Sequence, residues 1–230
     1  MIKNWWKIIC VILLVYTVIG GLLVKIPHLP VLGQTIRNLF FHVSMWMGMM
    51  VLFTCSVVNA IRYLRTMDLK FDIYSREQAA VGIVFGLLGY ITGAIWASYT
   101  WADPNNPAFD SFGALAREPK LIGTAVALLI YLAYLILRDS IPDIDKKARI
   151  SAVYNIFAFA MLFPTIWIVP RLLPSLHPGQ EGNPALNFKD VDDNMRLIEY
   201  PAFIGWALLG VWIASVKIKI SMIQKKQFLK

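Results

Sequence analysis

The sequence predicts an all-α polytopic membrane protein with six transmembrane helices and both termini in the cytoplasm. Of the 230 residues, 58% are hydrophobic and only 16% are charged, whereas an ordinary soluble domain has about 25% charged residues. Mean hydropathy is +0.60. Six apolar runs are long enough to cross the bilayer, and Lys and Arg are shared unequally between the connecting segments.

Each apolar run is roughly 17 to 23 residues long, which as a helix spans the hydrocarbon core with modest tilt. The first run is long for a signal peptide, and no small-residue cleavage motif follows it, so we interpret it as a span. The six spans belong to one predicted domain, 1–230. They are about 8–24, 39–61, 79–99, 121–137, 150–169 and 200–216.

Basic residues predict the orientation of the spans. The two termini and the loops 62–78 and 138–149 hold 15 of the 22 Lys and Arg residues, and the segments 25–38, 100–120 and 170–199 hold 7. The positive-inside rule places the richer set in the cytoplasm and the poorer set outside, in a bacterium on the periplasmic face of the inner membrane. The same rule explains the net charge of +8, so nucleic acid is not an expected partner.

Several function classes lack their motifs in this sequence. There is no Walker A loop and no GxSxG motif, so the chain carries no recognisable ATPase or hydrolase site of its own. Cys10 and Cys55 lie in apolar runs without CxxC spacing, which argues against a disulfide framework, a zinc site and thiol redox chemistry. We therefore do not expect an enzyme.

All three histidines fall on the predicted outer side. His42 lies about one turn into the second span, where an ionisable ring is costly and usually has a partner or a task. A hydrogen bond to a neighbouring helix and axial ligation of haem iron both explain it. His177 follows the fifth span in the proline-rich stretch "SLHPGQ", and His28 lies in "IPHLP". Taken alone, each of these is better explained as a plain surface histidine than as a ligand.

The helical face around His42 is large, soft and aromatic. Met45, Trp46 and Met49 share it at spacings of three, four and seven residues. Such a face fits a flat porphyrin, and it also fits ordinary packing between helices. Met45 or Met49 is an alternative, weaker candidate for an iron ligand.

Aromatic residues crowd the outer end of the third span and the loop after it. An interfacial belt explains those near the span, whereas a platform for a flat hydrophobic ligand would also explain those beyond "DPNNP". Arg117 and Lys120 close the loop and would meet carboxylates of such a ligand, or headgroups. The aromatics are Trp96, Tyr99, Trp101, Phe109 and Phe112.

These motifs together resemble the haem exporter protein C (CcmC) family of cytochrome c maturation, within the wider haem-handling family with tryptophan-rich outer loops. "FFHVSMW" is similar to the family's first histidine motif and "SLHPG" to its second. "TGAIWASYTW" resembles the beginning of the tryptophan-rich segment, and "ARISAVYNIFAF" resembles the opening of the fifth span.

The resemblance implies a haem-binding membrane protein that serves c-type cytochrome biogenesis. It implies His42 and His177 as axial ligands of the iron of haem b, with Trp96 and Trp101 in an aromatic platform. Phe109 and Phe112 extend that platform, and Arg117 and Lys120 are the expected partners of the propionates. The implied partners are a periplasmic haem chaperone, subunits of an ATP-binding-cassette maturation complex, and the lipid bilayer.

The chain departs from the family in the tryptophan-rich loop. The usual run continues with more tryptophans and ends in W-D-x-R or a D-P-K variant. Here "ADPNNPAFDSFGAL" intervenes and the segment ends in "REPKL". Glu118 stands at the acidic position, Lys120 at the basic one, and phenylalanines replace tryptophans.

Two other functions remain open at the level of the sequence. A haem lyase of the synthetase type would itself attach haem to an apocytochrome, but such chains are usually larger, with more spans. A non-haem polytopic carrier would use its histidines structurally. Haem content of the purified protein separates that class from the haem-binding ones.

The basic-residue distribution predicts the topology. Reporter fusions after Leu32, Asn106 and Glu181 should report an outer location, and fusions near Lys70 and Lys146 a cytoplasmic one. Paired alkaline phosphatase and green fluorescent protein fusions at each position measure this. An exchange of any fusion between the two groups would contradict the orientation, because it would separate the histidines from the aromatic loop.

Overall fold

The structure, a computed structural model, describes residues 4–27, 32–101, 111–175, 177 and 191–228, and all its elements are helical. A 3-10 turn, Gly33–Asn38, precedes α2, and a π-helical turn, Phe163–Ile168, lies between α6 and α7. The α-helices are α1 Trp5–Leu23, α2 Leu39–Thr66, α3 Leu69–Thr100, α4 Ser111–Arg117, α5 Pro119–Ser140, α6 Ile144–Leu162, α7 Val169–Leu172 and α8 Asp193–Phe228.

Six helical segments of the described residues are long and apolar enough to cross a membrane, which confirms the predicted number. Every one begins before the predicted run. Hydropathy marks only the apolar part of a helix, whereas polar N-caps such as Asp68, Glu118 and Asp143 begin helices outside it. The segments are Trp5–Leu23, Gly33–Thr66, Leu69–Thr100, Pro119–Ser140, Ile144–Leu172 and Asp193–Lys225.

The centre of the bundle is an antiparallel hairpin of α2 and α3 with a glycine seam. Met67, which caps α2 in the left-handed region at φ 54°, and Asp68, which caps α3, form the turn between them. Four glycines of α3 face four large side chains of α2 at matching steps in opposite directions, so the helices approach closely. The pairs are Gly82 with Phe53, Gly86 with Met49, Gly89 with Trp46 and Gly93 with His42.

The seam leaves no room for a larger residue on α3. A Cβ at Gly82 would lie 2.6 Å from Cε1 of Phe53, and one at Gly86 would lie 2.8 Å from Sδ of Met49. Real Cβ atoms essentially never come this close to another heavy atom. The register of α2 against α3 is therefore fixed by the alternation of small and large residues.

Toward the turn between α2 and α3, small polar side chains continue the interface and join α6 to it. Ser56 donates to the carbonyl oxygen of Ser75 at 2.7 Å, and Asn155 of α6 donates to the hydroxyls of both serines at 2.7 and 2.8 Å. These partners satisfy polar groups that the bilayer cannot solvate. These hydrogen bonds connect α2, α3 and α6 at one depth in the bundle.

The other helices pack around this hairpin. Phe53 of α2 stacks on Tyr131 of α5 with ring centroids 3.6 Å apart, and both side chains are buried. α8 packs against α1, α2 and α3. Its Ile198 lies over Gly20 and Gly21 of α1, beside Phe40, so α1 is held to the bundle mainly through α8.

A buried ion pair joins α3 to α5 near the turn end of the bundle. Two nitrogens of the Arg138 guanidinium each donate to one oxygen of Asp72 at 2.6 Å. Both side chains are about nine-tenths buried. A bidentate pair of this kind compensates the desolvation of both charges, but the loss of either partner leaves the other charge buried and unpaired.

We predict that Asp72→Asn lowers the free energy of unfolding by about 3–5 kcal/mol, the usual effect of removing one partner of a buried pair. Unfolding by sodium dodecyl sulfate in mixed micelles, followed by circular dichroism, measures this. Asp68→Asn is the matched control, because Asp68 pairs with Lys70 on the exposed surface and Asn still caps a helix. Equal effects of the two substitutions would contradict a special role for the buried pair.

Candidate functional site

The candidate site begins with His42 at the end of the bundle opposite the α2–α3 turn. Its Nδ1 lies 2.9 Å from the carbonyl oxygen of Gly89 and 3.3 Å from Oγ1 of Thr92. A carbonyl oxygen can only accept, so Nδ1 carries the proton. This hydrogen bond fixes the ring orientation and leaves the lone pair on Nε2.

The other ring nitrogen of His42 accepts a hydrogen bond from its own helix. The indole N–H of Trp46, one turn along α2, donates to Nε2 at 3.3 Å. This is the nitrogen that retains the lone pair, which agrees with the tautomer set by Gly89. The indole and imidazole rings meet edge to face with centroids 6.0 Å apart.

Space for the His42 ring comes from Gly93, because a Cβ at this position would overlap Cε1 of the imidazole. Trp96, three residues further along α3, meets the ring edge to face at a centroid distance of 6.3 Å. Trp96 is itself positioned by the bond from its Nε1 to the hydroxyl of Thr35, at 3.0 Å. The polar and aromatic shell of His42 therefore comes from α2, α3 and the 3-10 turn.

His177 lies in a second group of side chains, contributed by the ends of α3, α5 and α7. The indole ring of Trp101, which caps α3, meets the imidazole edge to face with centroids 6.1 Å apart. Nζ of Lys120 is 3.3 Å from Nδ1 of His177. An ammonium group can only donate, so Nδ1 accepts in this pair and the ring proton is on Nε2. The tautomer is opposite to that of His42.

A buried carboxylate organises the second group. Glu118 is only 3% exposed and caps α5 by accepting from the backbone N–H of Lys120 at 3.2 Å. The hydroxyl of Ser175 also donates to Glu118 and accepts from the backbone N–H of His177 at 3.1 Å. The start of α5 and the backbone before His177 are thus held by one carboxylate.

Sequence reasoning did not assign Glu118 and Ser175 to the site. The triplet Glu118-Pro119-Lys120 carried a usable signal, because an acceptor side chain followed by proline is typical of the first residues of a helix. That pattern predicts a helix beginning at 119, as the structure has it. The contact between Ser175 and Glu118 has no local signal, since it joins residues on different elements.

The structure brings together part of the predicted set of site residues. Trp96 lies with His42, and Trp101 and Lys120 lie with His177. Arg117 is exposed at the end of α4. Phe112 lies in α4, but its side chain is outside the described part of the structure, and Phe109 and His28 fall outside the described residues altogether.

The two methionines beside His42 belong to the core. Met45 and Met49 are 6% and 1% exposed and pack in the main hydrophobic cluster with residues of α3 and α5. The ordinary-packing interpretation of this face therefore accounts for both methionines. Trp46 is only partly buried and is the member of the face that contacts His42.

Within the described residues, no three side chains among His, Cys, Asp and Glu converge on a point where a bare metal ion would bind. Haem iron needs fewer protein ligands, because the porphyrin supplies four nitrogens and the protein only the axial ones. The chemistry of the site, with two imidazoles and three indoles, suits a flat aromatic ligand that carries a metal.

Comparison with known proteins agrees with this chemistry. The family model described as "Heme exporter protein C" matches residues 1–228. A relative of that name from Paracoccus denitrificans (strain Pd 1222) is 24% identical over 175 residues, which cover 76% of this chain and 67% of the relative. A "Putative cytochrome c biosynthesis ccmC-like mitochondrial protein" of Marchantia polymorpha is 26% identical over 70 residues, 30% of each chain. The chain therefore belongs to the haem exporter protein C family, a family of membrane proteins that handles haem in cytochrome c maturation.

Proposed function

We propose that this protein binds haem b at the outer face of the membrane, with His42 and His177 as axial ligands, and presents it for c-type cytochrome biogenesis. The observation that carries this proposal lies at the C-terminal end of α3, where two tryptophans five positions apart each meet one of the histidines. Trp96 lies 6.3 Å from the His42 ring and Trp101 lies 6.1 Å from the His177 ring. Histidines from distant parts of the chain thus flank one aromatic helix end.

His42 has the geometry of a ligand that is oriented in advance. Histidines that bind metals almost always donate their other ring N–H to a carbonyl or carboxylate, which fixes the tautomer and raises the basicity of the ligating nitrogen. The bond from Nδ1 of His42 to the Gly89 carbonyl serves this purpose. Iron would bind at Nε2, and the Trp46 N–H would leave that atom.

His177 would complete the ligand pair from the opposite segment. Its Nδ1 accepts from Lys120 and its proton is on Nε2, so ligation through Nε2 would require Lys120 to leave Nδ1 and the ring proton to move from Nε2 to Nδ1. The release of Lys120 from His177 would also free an ammonium group for a haem propionate. Haem binding would therefore be coupled to a rearrangement of the side chains around His177.

The remaining predicted residues would surround the ring. Trp96 and Trp101 form the aromatic support beside the two histidines, and Phe109 and Phe112 extend it along the loop. Arg117, which is exposed at the end of α4, is free to reach a propionate. When bound, the haem supplies the iron chemistry; the protein holds and orients it.

Family membership supports the cellular part of the proposal. The haem would be presented on the periplasmic face of the inner membrane to a periplasmic haem chaperone. An ATP-binding-cassette complex would supply the energy for release, because the sequence carries no nucleotide-binding motif of its own. The protein would act as a carrier and not as an enzyme.

One rival function has structural support. In a non-haem carrier His42 would be a structural residue, and both of its ring nitrogens do have partners within the protein. The haem content of the purified wild-type protein separates the two functions, because a non-haem carrier contains none.

We predict that purified wild-type protein has the visible spectrum of low-spin, six-coordinate haem. His42→Ala and His177→Ala should each lower haem content and shift the spectrum toward five-coordinate or substituted iron, because one axial position is lost. The double variant should contain almost no haem. Absorption spectra and pyridine haemochrome assays of the four proteins measure this.

Added imidazole is the control for the single variants, since it should partly refill the vacant axial position. A His42→Ala protein with a wild-type low-spin spectrum and normal haem content would contradict the ligand assignment. His42 would then be a packed polar residue at the end of the helix, and the haem iron would have another axial ligand.

We also predict that Trp46→Phe raises haem affinity. The substitution keeps an aromatic ring but removes the N–H that occupies Nε2 of His42, and one such hydrogen bond contributes about 0.5–1.5 kcal/mol. Affinity should rise roughly two- to tenfold, measured by haem titration in detergent. Trp96→Phe is the matched control, because the Trp96 ring also touches His42 while its N–H is bound to Thr35.

Trp96→Phe should leave affinity unchanged or lower it. A fall in affinity for Trp46→Phe would show that the indole supports the haem itself, and would contradict the competition between Trp46 and iron for Nε2.

A further inference from the structure

A polar cavity lies at the end of the bundle opposite His42, outside the proposed haem site. Its volume is about 300 Å³, at the lower limit of the range typical of small-ligand pockets. Residues of α3, α5, α6 and α8 line it. They are Ile73, Arg76, Glu77, Arg138, Asp139, Lys147, Ser221 and Lys225.

The inner wall of the cavity is held by ion pairs. Arg138 is bound by Asp72 on both guanidinium nitrogens. Glu77, which is 1% exposed, pairs with Arg76, accepts from the hydroxyl of Ser221 at 2.9 Å, and lies 3.3 Å from Nζ of Lys217. Asp72 and Glu77 are thus already paired with cations of the protein.

Two lysines of the lining have no such partner. No carboxylate of the described residues lies within 4.0 Å of the ammonium group of Lys147 or Lys225. The lining as a whole contains four cationic and two anionic side chains. Asp139 is the carboxylate that would oppose an anion, since Glu77 is neutralised by its partners. The cavity therefore has a positive excess that is concentrated on α6 and α8.

The surroundings indicate where an anion would come from. Exposed isoleucines lie within three positions of lining residues on the same two helices, namely Ile144 on α6 and Ile220 and Ile223 on α8. Apolar side chains exposed beside cationic ones are typical of the boundary between acyl chains and headgroups. In the predicted orientation this end of the bundle faces the cytoplasm, where basic pockets between transmembrane helices bind anionic headgroups.

We propose that this cavity binds a phosphate group between Lys147 and Lys225, and that in the membrane the group belongs to the headgroup of an anionic phospholipid. The ammonium groups would supply charge-assisted hydrogen bonds to the phosphate oxygens. Arg76 and Arg138, already held in ion pairs, would add positive potential without moving.

The test uses the full-length protein in detergent and native mass spectrometry. Wild type is titrated in separate experiments with phosphatidylglycerol, with zwitterionic phosphatidylethanolamine and with inorganic phosphate. We expect one phosphatidylglycerol to bind with a clear preference over phosphatidylethanolamine. Lys147→Gln combined with Lys225→Gln should lower that affinity roughly 30-fold, since each lysine near a charged headgroup contributes about 1 kcal/mol.

The matched control is Lys146→Gln combined with Lys219→Gln. It removes the same charge from the same two helices at exposed positions that do not line the cavity. Asp139→Asn removes a negative charge from the lining, so it should strengthen the binding of phosphatidylglycerol. Circular dichroism of each variant establishes that the helices are retained.

Equal losses of phosphatidylglycerol affinity in the cavity and control variants would overturn the proposal, because the change in affinity would then follow from net charge alone. Retained phosphatidylglycerol preference in the cavity variant would also overturn it. If inorganic phosphate binds and phosphatidylglycerol does not, in a manner that requires Lys147 and Lys225, the phosphate site stands and its lipid origin is wrong.

Discussion

The close approach of α2 and α3 is the constraint on which the rest of the structure depends. Four glycines of α3 lie against Phe53, Met49, Trp46 and His42 of α2, so the register of the two helices is set at every turn of the seam. In a bilayer, helices gain little from hydrophobic association, and packing between small and large residues takes its place. His42 is the last large residue of this seam, so its position follows from packing along the whole interface.

The seam also determines what the His42 ring can do. A helix carbonyl is normally bonded within its own helix, but close approach lets the Gly89 oxygen reach Nδ1 of His42 at 2.9 Å. The absence of a side chain at Gly93 leaves room for the imidazole, and the tautomer follows from the carbonyl. His177 has no such framework of packed helices; its ring meets Lys120 and Trp101, and its backbone is held through Ser175 and Glu118.

The sequence predicted the six spans because long apolar runs have few alternatives to crossing a membrane. It placed Trp96 and Trp101 in one platform with the two histidines through a family resemblance. It did not predict that Trp96 meets His42 and Trp101 meets His177, since neither contact has a local signal. It did not predict that Trp46 donates to Nε2 of His42, although the spacing of four residues places the two side chains on one face. The contact between Lys120 and His177 depends on how α5 packs against α7. The hydrophobic periodicity of the sequence does not predict that packing.

The two-residue turn of Met67 and Asp68 has a consequence for the order in which the protein is made. It joins α2 directly to α3, so His42, Trp46, Gly89, Gly93 and Trp96 all belong to one helical hairpin. Such a hairpin assembles early, because little chain entropy is lost in closing it. The His42 half of the site is thus complete while the ribosome is still translating α5, whereas the His177 half waits for α5 and α7. The nascent chain acquires the first half of its site long before the second.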